Sequence, residues 1–166
     1  MNHSYYWEKH WPDAVAQQEK LLRYSSFTRE DALELGLKII ELARQNYNGQ
    51  ISVKITEDDT IVFSHKTSGT SIENEMWMDR KLAVSHQSGT SSLGAYLSAV
   101  AGQGRAFWLD RPENFAPCGG CFPVLLADNC RPWAYVAVSG MRHFQDHQVI
   151  ADAMAWQLNV QIPTIT

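Results

Sequence analysis

The alternation over residues 51 to 56 constrains the fold of this chain more than any other feature. Ile51, Val53 and Ile55 are apolar and the intervening Ser52, Lys54 and Thr56 are polar, the period of a strand with one buried face. Glu57 to Asp59 supply a turn, and Ile61 and Phe63 carry the apolar face along a return strand, with His65 on the same face. A second strand pair follows, Cys121 to Ala127 and Trp133 to Ser139, closed by Gly140. Strands joined pairwise by short turns pair antiparallel, so the chain predicts an antiparallel sheet with helices packed on it.

The helices fill the remaining stretches. Asp13 to Arg23 reads as a helix, with Ala14, Val15, Leu21 and Leu22 as its apolar members. Thr28 is placed to cap a long helix from Arg29 to Tyr47. There Leu33, Leu37 and Ile40, flanked by Leu35, Ile39 and Leu42, give an apolar face broad enough to lie on a sheet. Gly36 in mid-helix costs about 1 kcal/mol relative to alanine, which predicts a close approach to a neighbouring backbone. Ser68-Gly69-Thr70-Ser71 breaks the hairpin and starts a helix through Met76, Arg80 and Ala83. Another helix runs from Ser91 to about Val100, Gly102 to Gly120 is loop-like, and a last helix spans about Asp146 to Asn159, with Asp146 as its cap.

A chain of 166 residues without repeats or linkers reads as one domain, residues 13–166, preceded by an aromatic extension over residues 1–12 that carries Tyr5, Tyr6, Trp7 and Trp11. That much aromatic surface needs cover, from the same domain or from a neighbouring subunit. A net charge of −4 and the absence of any basic run argue against nucleic acid or an anionic membrane as partner. No apolar run approaches a membrane span, and the first residues lack the pattern of a secretory signal, which predicts a cytoplasmic protein. Cys118, Cys121 and Cys130 are then expected as reduced thiols.

Several side chains carry possible chemistry. Ile72, Met76, Arg80, Ala83 and Gln87 share helical spacing, which places Arg80 in the stripe read as inward-facing. An inward guanidinium needs a carboxylate, backbone carbonyls or an anionic ligand, so Arg80 is either a structural clamp or a ligand anchor. Lys81, about 100° round the helix, is expected in solvent or at an interface. Thr90, Ser91 and Ser92 open the next helix as caps, and the same amides can receive a ligand carboxylate. Cys118-Gly119-Gly120-Cys121 is a CxxC without the second pair of a zinc site. It reads as ordinary thiols, a redox pair, or a metal site completed by Cys130, His143 or His147. His65 is a rim or core histidine or a ligand; His86 reads as solvated; Asp146-His147 most simply begins a helix.

Taken together, Glu30 to Leu37, Gly69-Thr70-Ser71 with Asn74, Trp77, Arg80 and Lys81, Ser91-Ser92-Leu93, Gly119-Gly120 with Phe122-Pro123, Val138-Ser139-Gly140 and Asp146-His147 resemble the haem-degrading, GlcG/HbpS-like family, in its mostly uncharacterised branch. The resemblance implies a profilin-like α/β (α+β) fold with a five-stranded antiparallel sheet, its fifth strand near Phe27 or from Arg105 to Leu109. It also implies a homo-oligomer and a family connection to haem. Cys118 and Cys121 stand where the family pattern has a histidine and a small residue. Three functions follow. The first is a small-ligand-binding oligomer without catalysis of its own, its anion-accepting pocket formed by Arg80, Ser91, Ser92, Gly119 and Gly120, with His65 at the rim. The second is haem binding or haem- or peroxide-linked oxidative chemistry on a histidine or cysteine ligand. The third is a structural or partner-binding oligomer.

Overall fold

A computed structural model describes residues 5–128 and 131–166, so Cys130 lies outside the described residues. Helix α1 (Trp11–Leu21) leads into a two-residue strand β1 (Arg23–Tyr24) and the long helix α2 (Arg29–Asn46). The hairpin β2 (Ser52–Glu57) and β3 (Thr60–Lys66) follows, then α3 (Ile72–Ser88) and α4 (Ser92–Val100). Two short 3₁₀ turns lead to β4 (Cys121–Leu126), β5 (Pro132–Ser139) and α5 (His143–Leu158). Among the described residues no helix is long and apolar enough to cross a membrane.

The sheet has five strands in the order β1-β4-β5-β2-β3. The four predicted strands pair antiparallel, with Val53 opposite His65 on one side and Val138 on the other. The fifth strand departs from the expectation: it comes from Arg23–Tyr24, upstream of Phe27, and runs parallel to β4. No hairpin links β1 to β4, so the direction in which α1 delivers the chain sets the pairing. The alternative, Arg105 to Leu109, ends in a 3₁₀ turn whose Phe107 and Trp108 pack against the cluster around Trp11 and Leu93.

Alternation places Val53, Ile55, Phe122, Val124, Val136 and Val138 on the face covered by α2 and α5, where they form the main core. On the opposite face α3 packs through Met78 over Cys121 and Ala137. In α2 the Thr28 cap is present, with Asp31 completing a capping box. Its buried stripe is Ala32, Leu35, Gly36, Ile39, Ile40 and Ala43, whereas Leu33 and Leu37 are about half exposed. Gly36 does permit a close approach, but by a side chain: a Cβ there would lie 2.3 Å from the Phe63 ring. A third cluster joins α1 to α4 through Trp11, Val15, Leu93 and Leu97, and the aromatic segment before α1 folds onto it.

Candidate functional site

Helix α3 decides where the chemistry sits, and its orientation corrects the sequence reading. Its buried residues are Met78, Lys81, Val84 and Ser85, while Ile72 and Met76 are 71% and 59% exposed. The stripe that looked most apolar therefore faces outward. Rotating the helix accordingly brings Lys81 inward, where the prediction had placed Arg80. Lys81 is 2% exposed, and its ammonium donates to the Asp146 carboxylate at 3.0 Å and to the Val138 carbonyl at 2.8 Å.

Asp146 is not the cap of α5, which begins at His143. It lies in the first turn, and its second oxygen accepts the Met141 N–H at 3.0 Å. Burial raises the Asp146 carboxyl to about 6 even with Lys81 beside it. Burial acts on Lys81 in the opposite sense, yet the Asp146 charge and the nearby Cys118 leave its ammonium above its usual range. The pair is thus ionised at neutral pH and shielded from water, a costly arrangement that needs all its hydrogen bonds.

Above this pair opens a cleft of about 420 Å³, lined by Tyr5, Asn74, Trp77, Lys81, Cys118 and the Ser139–Met141 turn with His143 and Asp146. The Gly119-Gly120 turn, predicted to line the pocket, is instead packed behind Lys81 and His143 and is not among the residues lining the cleft, and neither position has room for a Cβ. At Gly119 it would lie 2.1 Å from the His143 carbonyl, and at Gly120 2.5 Å from the Lys81 ammonium and the Val138 carbonyl. The near wall is the segment before α1. The Tyr5 N–H donates to the Tyr96 hydroxyl, which donates back to the Tyr5 carbonyl, at 3.0 and 3.1 Å. Burial raises both the Tyr5 phenol and the Cys118 thiol above their usual ranges.

The other predicted residues divide clearly. Arg80 holds the loop after α4: its guanidinium donates to the Pro112 and Phe115 carbonyls at 3.1 and 3.0 Å and lies over the Trp77 ring. Ser91 caps α4 at the Gly94 N–H, and its own N–H is taken by the Glu19 carboxylate at 2.7 Å, so a carboxylate supplied by the protein docks there. The Ser92 hydroxyl accepts from the Cys121 N–H at 3.0 Å, tying α4 to the start of β4. His65 is exposed on the edge strand β3 and does not line the cleft. His86 is exposed, with its ring against Tyr135.

Cys121 is fully buried beneath α3, and burial raises its thiol to about 12, well outside a reactive range. His147 lies in a separate buried network in which its Nε2 meets the Gln18 carbonyl oxygen at 2.7 Å. The Gln18 amide nitrogen donates to Gln148 Oε1 and to the Pro163 carbonyl. The Gln18 oxygen is therefore the acceptor, and His147 carries its proton on Nε2 and leaves Nδ1 without a partner. Burial lowers this imidazole to about 3. Among the described residues no three His, Cys, Asp or Glu side chains are grouped to hold a metal ion.

Comparison with known proteins bears on the family and the fold. Residues 27–155 match the model of the family described as "Haem degrading protein HbpS-like". The chain belongs to the HbpS-like family. A UPF0303 protein of Streptomyces coelicolor is 32% identical over 146 residues, covering 84% of this chain and 89% of the relative. Among solved structures, Ybr137w superposes with a TM-score of 0.80 at 21% identity, covering 92% of this chain and 90% of that one. The PduOC:haem complex superposes with a TM-score of 0.64 at 16% identity, covering 85% and 99%.

Haem, implied by the HbpS-like family description, was tested against the side chains of the cleft. Its iron needs an axial ligand. His143 Nδ1 already accepts the Gly119 N–H at 3.2 Å and its Nε2 meets the Tyr6 carbonyl at 2.8 Å. His147 is sealed from the cleft in its own network, and Cys118 is 2% exposed with a raised thiol. These histidine and thiol donors do not fit an iron ligand as they are arranged.

Proposed function

We propose that this HbpS-like protein is a small-ligand-binding protein without catalysis of its own, and that its ligand enters the cleft floored by Lys81 and Asp146. The buried pair carries this reading. Apolar side chains of similar volume would join α3 to α5 with equal or greater stability, so a charged pair beneath an open cleft suggests a role in recognition. The walls support a flat ligand. Tyr5 and Trp77 offer aromatic surface, Asn74 and Ser139 offer hydrogen bonds, and Lys81 favours a carboxylate or carbonyl end. The positive charge that recognises this end is thereby assigned to Lys81, with Arg80 fixing the adjoining loop. Assembly into a homo-oligomer, which the resemblance implies, belongs to the same proposal and is read by light scattering.

The test uses benzoate as a flat carboxylate, benzyl alcohol as its uncharged control, and the double variant Lys81→Met/Asp146→Asn, which removes both charges together. Saturable calorimetric binding of benzoate to the parent protein, lost in the double variant, is the expected result. Equal binding to both proteins overturns the assignment. Haem is a second reading, favoured by the HbpS-like family match and the haem complex of PduOC. A stoichiometric haemin shift in the Soret region that disappears in the double variant would make haem the ligand of this cleft.

A further inference from the structure

A second cleft, of about 400 Å³, lies between α1, the end of α3 and α4, and shares no lining residue with the first. Its apolar surface comes from Val15, Leu97 and Phe107, and Gln87 and Gln103 add amides. Two charged side chains line it, Glu19 and Arg105. Arg105 is mostly exposed and already faces Asp110 at 2.8 Å. Glu19 has no ion pair among the described residues.

The setting of Glu19 is specific. One carboxylate oxygen accepts the Ser91 N–H at the start of α4, where the helix dipole favours negative charge. Gly94 makes room for it, since a Cβ there would lie 2.6 Å from that oxygen. Burial raises this carboxyl above its usual range, and the Ser91 hydrogen bonds and Arg23 only partly offset that. A half-buried carboxylate beside an apolar wall, in no ion pair among the described residues and only partly offset by Arg23, is the complement of an ammonium group on an apolar body.

We propose that this second cleft binds a small organic amine, its ammonium against Glu19 and its apolar body against Val15, Leu97 and Phe107. The site is independent of the Lys81 cleft and stands whether or not that cleft binds a carboxylate.

The experiment titrates 2-phenylethylamine into the full-length ¹⁵N-labelled protein and follows the amide signals of Ser91 and Gly94, with 2-phenylethanol as the uncharged control. Saturable shifts at these two amides are expected with the amine, with affinity at least about tenfold weaker for the alcohol and for Glu19→Gln. Glutamine can still accept the Ser91 N–H, so the α4 cap is retained in that variant. Should the variant not fold, the amine–alcohol comparison on the parent protein decides alone. No saturable shift, or equal affinity for amine and alcohol, overturns the proposal.

Discussion

Lys81 and Asp146 each make sense only in the presence of the other. Replacing one leaves an uncompensated charge in the interior, at a cost of about 3–5 kcal/mol. Urea denaturation of Lys81→Met is expected to show a loss of that size, and Lys81→Met/Asp146→Asn is expected to recover most of it. A double variant as unstable as the single one would contradict the pairing. The pH dependence of stability follows from two residues of opposite sign. The unfolded chain protonates His147 near 6.5 and the folded chain only near 3, so this contribution is complete above 6.5 and lost as pH falls. Asp146 protonates near 6 when folded and 3.8 when unfolded, so its contribution is complete below 3.8 and lost as pH rises through 6. Between those two values the proton uptakes largely cancel. His147→Gln removes the first, and its stability is expected to rise on acidification across that window, by up to about 1.4 kcal/mol per pH unit. Thermal melts at several pH values read this directly. Burial also lowers His143, which reinforces His147, and raises Glu19 and Asp152, which reinforce Asp146.

At the scale of elements, the alternation of β2 identifies the residues that face the main core, but not the burial of its other face, where Ser52, Lys54 and Thr56 are covered too. Ile51, Val53 and Ile55 of β2 lie on a sheet face, and Thr28 caps α2 as its spacing implies. The sequence reading failed at α3, where the exposed Ile72 and Met76 out-signalled the true inner face of Met78, Lys81 and Ser85. A lysine in the middle of a stripe reads as polar, and nothing local reveals a carboxylate 65 residues away. Asp146 was hidden in the same way, because an acidic residue near a helix start already has a local explanation. In sequence Tyr5 is only aromatic surface needing cover; its place in the cleft depends on Tyr96, far along the chain. The short β1 carries no alternation at all. Arg80 reads from sequence as a clamp or a ligand anchor; one of its terminal nitrogens donates to the Pro112 and Phe115 carbonyls, while its buried Nε has no partner. Arg80→Met is therefore expected to speed hydrogen exchange over residues 107–117 while α3 stays protected; unchanged exchange there would remove its role as a clamp.

Over the whole molecule, long-range polar ties hold α1 and the residues after α5 to the sheet domain. Gln18 bridges His147, Gln148 and the Pro163 carbonyl, and the Ile165 N–H returns to Gln148. Gln18→Leu strands several of these groups at once and is expected to destabilise the fold by about 1–3 kcal/mol, measured by urea denaturation. A variant as stable as the parent would show that the network is dispensable. The Gly119-Gly120 turn bears on another question, that of which changes the chain tolerates. In a library of all single substitutions both positions are expected to be depleted in any screen for folded protein, ligand or no ligand, since a methyl group at either one collides with main-chain atoms. Trp77, partly exposed on the cleft wall, has no such constraint. Intolerance at the two glycines is thus a record of packing; at Trp77, which also lies under the Arg80 guanidinium, intolerance that persists in an Arg80→Met background would be the first sign of selection for something the cleft holds.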